Sequence, residues 1–167
     1  MKKLIMALFL TSLCYGQVWV DLASSHIKKW EGFRPTPYKC QAGVWTIGYG
    51  FTDKDLVARG SMTEKDADSI LRKKVLEMGL HLQRLAGDVK LEDNQLAALI
   101  SLRYNIGRQA FINSTVLKKV RSKSFDDVPQ AIAMWNKVKD PKTRKLVRSD
   151  GLVKRRVLEI KLWWGID

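Results

Sequence analysis

Between Trp30 and Gly50 the chain reads WEGFRPTPYKCQAGVWTIGYG, and within those residues its hydrophobic repeat changes. Helical spacing stops at Pro35, and from Tyr38 onward Tyr, Val, Trp, Ile and Tyr follow a strand-like alternation punctuated by glycine. A helix is therefore expected to give way to short strands within a few residues. At the hinge sits one carboxylate, Glu31, flanked by Trp30 and Phe33. A carboxyl group against aromatic neighbours loses hydration, which disfavours its charged form. A general acid that must hold a proton near neutral pH needs such surroundings. On chemistry alone the default remains a surface glutamate on an amphipathic helix.

Downstream, the pattern is that of a larger helical body. Thr63 can cap a long helix, with Asp66 in a capping-box-like position. Ala67, Ile70, Leu71, Val75, Met78, Leu82 and Leu85 then recur at three- and four-residue steps. Asp21–Glu31 is expected as a first helix with Leu22, Ile27 and Trp30 inward. Further helices are expected over Asn94–Gly107 and Asp126–Val138, with a charged loop at Lys139–Lys142 and a last helix from Gly151. With 167 residues the chain is one domain by length and large enough to bury a core.

Glu31, Cys40 and Thr46 are spaced as Glu, eight residues, Asp or Cys, five residues, Thr, and Thr46-Ile47-Gly48-Tyr49-Gly50 follows. In this the segment resembles the catalytic stretch of the phage-type lysozymes, glycoside hydrolase family 24. Asn94–Leu99 with Tyr104–Gly107, Ala110–Thr115, and Gly151–Arg156 with Glu159 are similar to later segments of that family, so the likeness runs from about Ile27 to Leu162. It implies an α+β, lysozyme-like fold: a small β-rich lobe joined by a long helix to a larger helical lobe, with a cleft between them. It also implies a muramidase that cuts the β-1,4 bond between N-acetylmuramic acid and N-acetylglucosamine in peptidoglycan, without a cofactor or metal.

By the same resemblance Glu31 is the general acid, with Cys40 and Thr46 as its catalytic companions. Gly50, Tyr104 and Ser114 would line the sugar cleft. Cys40 would assist a water molecule or attack the sugar, with Lys39 and Arg34 near enough to favour its thiolate. Thr46 would orient the water. One departure is Phe51, where the family often has a histidine that pairs with an acidic side chain. The alternatives are a weak or inactive peptidoglycan-binding protein of the same fold and a hydrolase of chitin-type glycan.

The net charge of +13 implies an anionic partner such as nucleic acid, a membrane surface or bacterial wall polymer. No zinc-finger, Walker-type or RNA-binding aromatic spacing accompanies it, so nucleic acid is not expected as a partner. Basic residues cluster at Lys118, Lys119, Arg121 and Lys123 and again from Lys137 to Arg156. They read first as solvated helix faces and, functionally, as a surface that holds anionic wall polymer. His26 and His81 are too few and too scattered for a metal site.

Lys2 and Lys3 precede an apolar run ending Leu13-Cys14-Tyr15-Gly16, which reads as an export signal cut before Gln17. Residues 1–16 are thus expected as a signal peptide, and 17–167 as the lysozyme-like domain, a monomer, secreted or periplasmic. The uncharged stretch 4–20 also meets the short limit for a membrane span, so an uncleaved signal-anchor tethering the enzyme to the inner membrane is the second reading. A Cys14–Cys40 disulfide would then cap Cys40 and keep the enzyme silent until reduced.

Overall fold

The computed structural model describes residues 18–40 and 43–166. The segment expected to direct export, and Cys14 with its disulfide, lie outside these residues. The first helix, α1, covers residues 18–31 and makes Glu31 its last helical residue. Gly32, at φ +63°, provides the left-handed turn that ends it, and its N–H bonds back to the Lys28 carbonyl at 3.1 Å. Strand β1 (Arg34–Lys39) follows and pairs antiparallel with β2 (Trp45–Gly48), with Tyr38 opposite Thr46 and Lys39 opposite Trp45.

The inward face of α1 differs from the expected one. Ile27 is buried, but Leu22 is 37% exposed, and the core face is Trp19, Val20, Ala23 and Ile27. These positions keep helical spacing from a start at residue 19, in the apolar run that had been assigned to the membrane segment. The Trp19 ring fills the space over Gly79 so closely that a methyl group there would lie 2.3 Å from it.

After the short α2 (Lys54–Ala58) comes α3 (Glu64–Ala86), 23 residues long. The Thr63 hydroxyl accepts from the Asp66 N–H at 3.1 Å, as the capping pattern implied, and Ala67, Leu71, Val75 and Leu82 are buried. This helix runs from the β-hairpin to the helical body. There, α4 (Asp93–Ile106) is buried over eight consecutive residues, Leu96–Arg103, and packs chiefly against α8 (Asp150–Trp164). Between them lie α5 (Arg108–Ile112), α6 (Thr115–Arg121) and α7 (Val128–Ala133). The architecture is the mixed, lysozyme-like α+β one.

The helix expected over Asp126–Val138 is a correction. A 3-10 turn, Phe125–Asp127, leads into α7, which stops at Ala133. Lys137–Lys139 and Leu146–Arg148 then form a second antiparallel hairpin, β3 and β4, and the charged loop is its turn. Asp140 Oδ1 accepts the Lys142 and Thr143 N–H groups at 3.0 and 2.6 Å, a local bond set that favours a turn over continued helix.

Candidate active site

Glu31 reaches the site because α1 ends on it. Its partner is a guanidinium, not the aromatic wall expected from Trp30 and Phe33. Arg155 Nη1, on α8, donates to Glu31 Oε1 at 2.7 Å, and the Arg155 guanidinium lies 5.9 Å from the Trp30 ring centre. Arg155 is buried, while the Glu31 side chain keeps 24% of its surface, so the carboxyl group is anchored from within and open on one side.

Behind Arg155 is a buried charge network. Arg155 Nε donates to Glu159 Oε1 at 3.3 Å, one helical turn along α8. Arg156 Nε stands 2.9 Å from Glu159 Oε2, and Arg156 Nη2 donates to Asn105 Oδ1 at 2.8 Å. The Ser101 hydroxyl, from α4, donates to Glu159 Oε1 at 2.8 Å. Burial pushes the Glu159 carboxyl up, while Arg156, Arg155 and the Ser101 hydrogen bond pull the other way. Two arginines facing Glu31 and Glu159 leave this network formally balanced, which is how a protein interior tolerates four charges.

Gly50 and Tyr104 join Glu31. A Cβ built on Gly50, whose φ is +85°, would lie 3.3 Å from Glu31 Oε2, so glycine is needed for both the turn and the approach. The Tyr104 hydroxyl donates to the Tyr49 carbonyl, next to Gly50. Burial foremost, and then the Glu31 charge, push the Tyr104 phenol well above the usual tyrosine range. Gly50 and Tyr104 line a cavity of about 460 Å³ together with Asp53, Lys74, Glu77, Arg103 and Arg108.

The hairpin holds the other two expected catalytic groups. Thr46 is buried on β2, and its hydroxyl donates to the Val44 carbonyl at 3.0 Å. Cys40 is half-buried at the turn, where its N–H bonds to the Val44 carbonyl at 3.0 Å. Lys39 and Arg34, expected beside the thiol, lie over the aromatic faces of Trp45 and Tyr38 at 5.4 and 5.7 Å. Ser114 is buried as the N-cap of α6: its hydroxyl accepts from the Leu117 N–H and donates to the Phe111 carbonyl. It borders a separate cavity with Trp135 and Leu146.

A family model described as phage lysozyme matches residues 28–159. The chain belongs to the phage lysozyme family. The endolysin of Acyrthosiphon pisum secondary endosymbiont phage 1 is 36% identical over 137 residues, covering 82% of this chain and 91% of that one. The solved endolysin from Escherichia coli O157:H7 phage FAHEc1 is similar at a TM-score of 0.72 and 31% identity, over 85% of this chain and 90% of the other. A SAR-endolysin of Enterobacteria phage P21 is 28% identical over 136 residues, 81% of this chain and 78% of that one. This phage-type lysozyme is thus an enzyme of the glycosidase class, acting on peptidoglycan.

Sequence reasoning missed the lysozyme's inner network. Arg155 and Arg156 had been counted with a solvated basic face, yet they are 4% and 1% exposed. The available signal was Glu159, placed three and four residues after them, where one helix face brings all three together. At Phe51, where the family's histidine is absent, the ring is 2% exposed and packs edge-on to Tyr49 at 6.4 Å. The nearby polar tie runs instead from the Tyr49 hydroxyl to Glu64 Oε1 at 2.9 Å.

Proposed function

We propose that this lysozyme cleaves the muramic acid–glucosamine bond of peptidoglycan with Glu31 as the proton donor to the leaving oxygen. The observation that carries the assignment is the anchoring of one Glu31 oxygen by buried Arg155, with the other oxygen beside Gly50 at the cavity edge. Breaking a glycosidic bond requires a proton at the bridging oxygen and relief of positive charge on the sugar ring. Arg155 acts through Glu31: it fixes the carboxyl orientation, and sharing Arg155 with Glu159 limits where the guanidinium can go. Cys40 and Thr46, on the hairpin that follows α1, take the second half of the reaction, with Cys40 as base or nucleophile and Thr46 steering the water. Tyr104 and Gly50 form the sugar-facing wall. Ser114, at the separate cavity, contributes to the fold by capping α6 and is not assigned to that wall.

Residues 1–16 act in export, as a cleaved signal or as an anchor of the kind named in the SAR-endolysin relatives. Trp19 and Val20 are core residues, which supports a boundary ahead of them: an anchor reaching Val20 would draw both out of the fold. Among the described residues no helix is long and apolar enough to cross a membrane. The exported enzyme works as a monomer on the wall mesh and is bacteriolytic.

Incubation of the purified chain with peptidoglycan, followed by analysis of new reducing ends, tests the assignment. Muramic acid ends from the wild type that vanish with Glu31→Gln are expected. Undiminished ends from Glu31→Gln would remove Glu31 as the acid, and glucosamine ends would remove the bond assignment.

A further inference from the structure

The cavity beside Glu31 carries charge that the hydrolysis of a neutral sugar chain does not use. Arg103, at the end of α4, is only 8% exposed, and its hydrogen bond runs to the Met78 carbonyl at 2.8 Å. Arg108, at the start of α5, opens on the same cavity, with Nη2 3.4 Å from His81 Nε2. Among the described residues no carboxylate lies within salt-bridge distance of either guanidinium. The cavity's own carboxylates do not fill that role. Asp53 is taken by Lys74, at 2.8 and 2.9 Å, and Glu77 is not close enough to pair with either arginine.

The surroundings register this excess of positive charge. Burial and neighbouring Arg108 both push the Arg103 guanidinium down from the usual arginine range. Burial, then Arg103, Arg108 and Arg84, push the His81 imidazole down as well. Two arginines opening on one cavity, one of them buried, cost free energy in the unliganded protein unless an anion offsets them. Guanidinium groups match carboxylates in shape and in hydrogen bonds.

Peptidoglycan provides that anion in one place. Its amino sugars are N-acetylated and neutral, and the lactyl carboxyl of each muramic acid is consumed in an amide bond to a short peptide. The free carboxylates belong to that peptide branch. We propose that Arg103 and Arg108 form a subsite for a carboxylate of the peptide branch, so that this lysozyme recognises its glycan through the peptide it carries. The inference rests on reading the Glu31 cavity as the glycan site. It adds that Arg108, reaching in from the exposed end, makes the first contact and that Arg103 completes it from the floor.

The test measures affinity, using the full-length protein carrying Glu31→Gln so that the ligand survives. The ligand is a soluble disaccharide–peptide from the wall, compared with the same compound after its peptide carboxyl groups have been converted to amides. Amidation is expected to weaken binding about tenfold, as loss of a charge-assisted bond implies. Adding Arg108→Gln should abolish that difference, and Arg103→Gln should do the same. Because Arg108 is exposed, its substitution leaves the fold intact and stays informative even where Arg103→Gln unfolds the protein. Raising the salt should shrink the difference. Equal affinity for the two compounds in the parent, or an undiminished difference in Arg108→Gln, would overturn the subsite. Failure of the Glu31 assignment would appear separately, as reducing ends released by Glu31→Gln.

Discussion

The fold treats two arginine pairs oppositely. Arg155 and Arg156 are buried against Glu31 and Glu159, with Asn105 accepting from Arg156 and Ser101 donating to Glu159. Arg103 and Arg108 have no carboxylate of their own among the described residues. Matched charges fix geometry, because each guanidinium has one arrangement that satisfies its partners. Unmatched charges facing a cavity leave their electrostatic demand for a ligand. On the reading proposed above, one pair positions the acid and the other recognises the ligand.

The largest break in this contrast comes from unbalancing the matched side. Arg155→Gln leaves Glu159 fully buried with less compensation, and removal of one partner of a buried ion pair costs about 3–5 kcal/mol. Denaturant titration of the variant should show a midpoint far below the wild type at unchanged slope. A result within 1 kcal/mol of the wild type would mean that the network is not a structural unit.

Acid adds an unmatched cation to the same side. His26, on α1, has a buried Nε2 with no hydrogen-bond partner among the described residues. Burial first, and then Arg155, Lys29 and Arg156, lower its pKa to about 4. The unfolded chain takes up this proton below about 6.5 and the folded chain resists it, so stability falls as the pH drops from about 6.5 to about 4. The loss is at most about 3 kcal/mol, and less because the ring is partly exposed. Unfolding curves at several pH values should show that slope, and His26→Gln should flatten it.

The smallest effect on stability belongs to the unmatched side. Arg108→Gln should leave the denaturation midpoint within about 0.5 kcal/mol of the wild type, since no ion pair is lost. A marked stability loss there would place Arg108 among the structural residues and erase the contrast.

Legibility in the sequence followed burial. The helix from Glu64 could be read because a polar cap precedes a one-sided apolar stripe, and Thr63 and Leu71 did what that pattern requires. Glu31 was singled out by motif spacing and Gly50 and Tyr104 by family resemblance, and the structure sets Gly50 against Glu31 and joins Tyr104 to the neighbouring Tyr49 carbonyl. The β3–β4 hairpin was invisible because all of its strand positions are exposed, leaving no alternation for the pattern to show. Trp19 was hidden in an apolar run that suits a membrane equally well. Arg155 was hidden because a basic residue on a helix usually faces water, and only Glu159, from inside the fold, reverses that expectation.

The central claim is that Arg155 acts in catalysis by holding Glu31. A double-mutant cycle on turnover tests it most directly, using Arg155→Lys, which keeps the charge and loses the planar fork. We predict that Arg155→Lys lowers kcat roughly tenfold or more in the wild-type background and has little further effect on the residual turnover of Glu31→Asp, which keeps an acid but shortens it away from the guanidinium. The same proportional loss in both backgrounds would contradict the account, because Arg155 would then contribute without acting through Glu31.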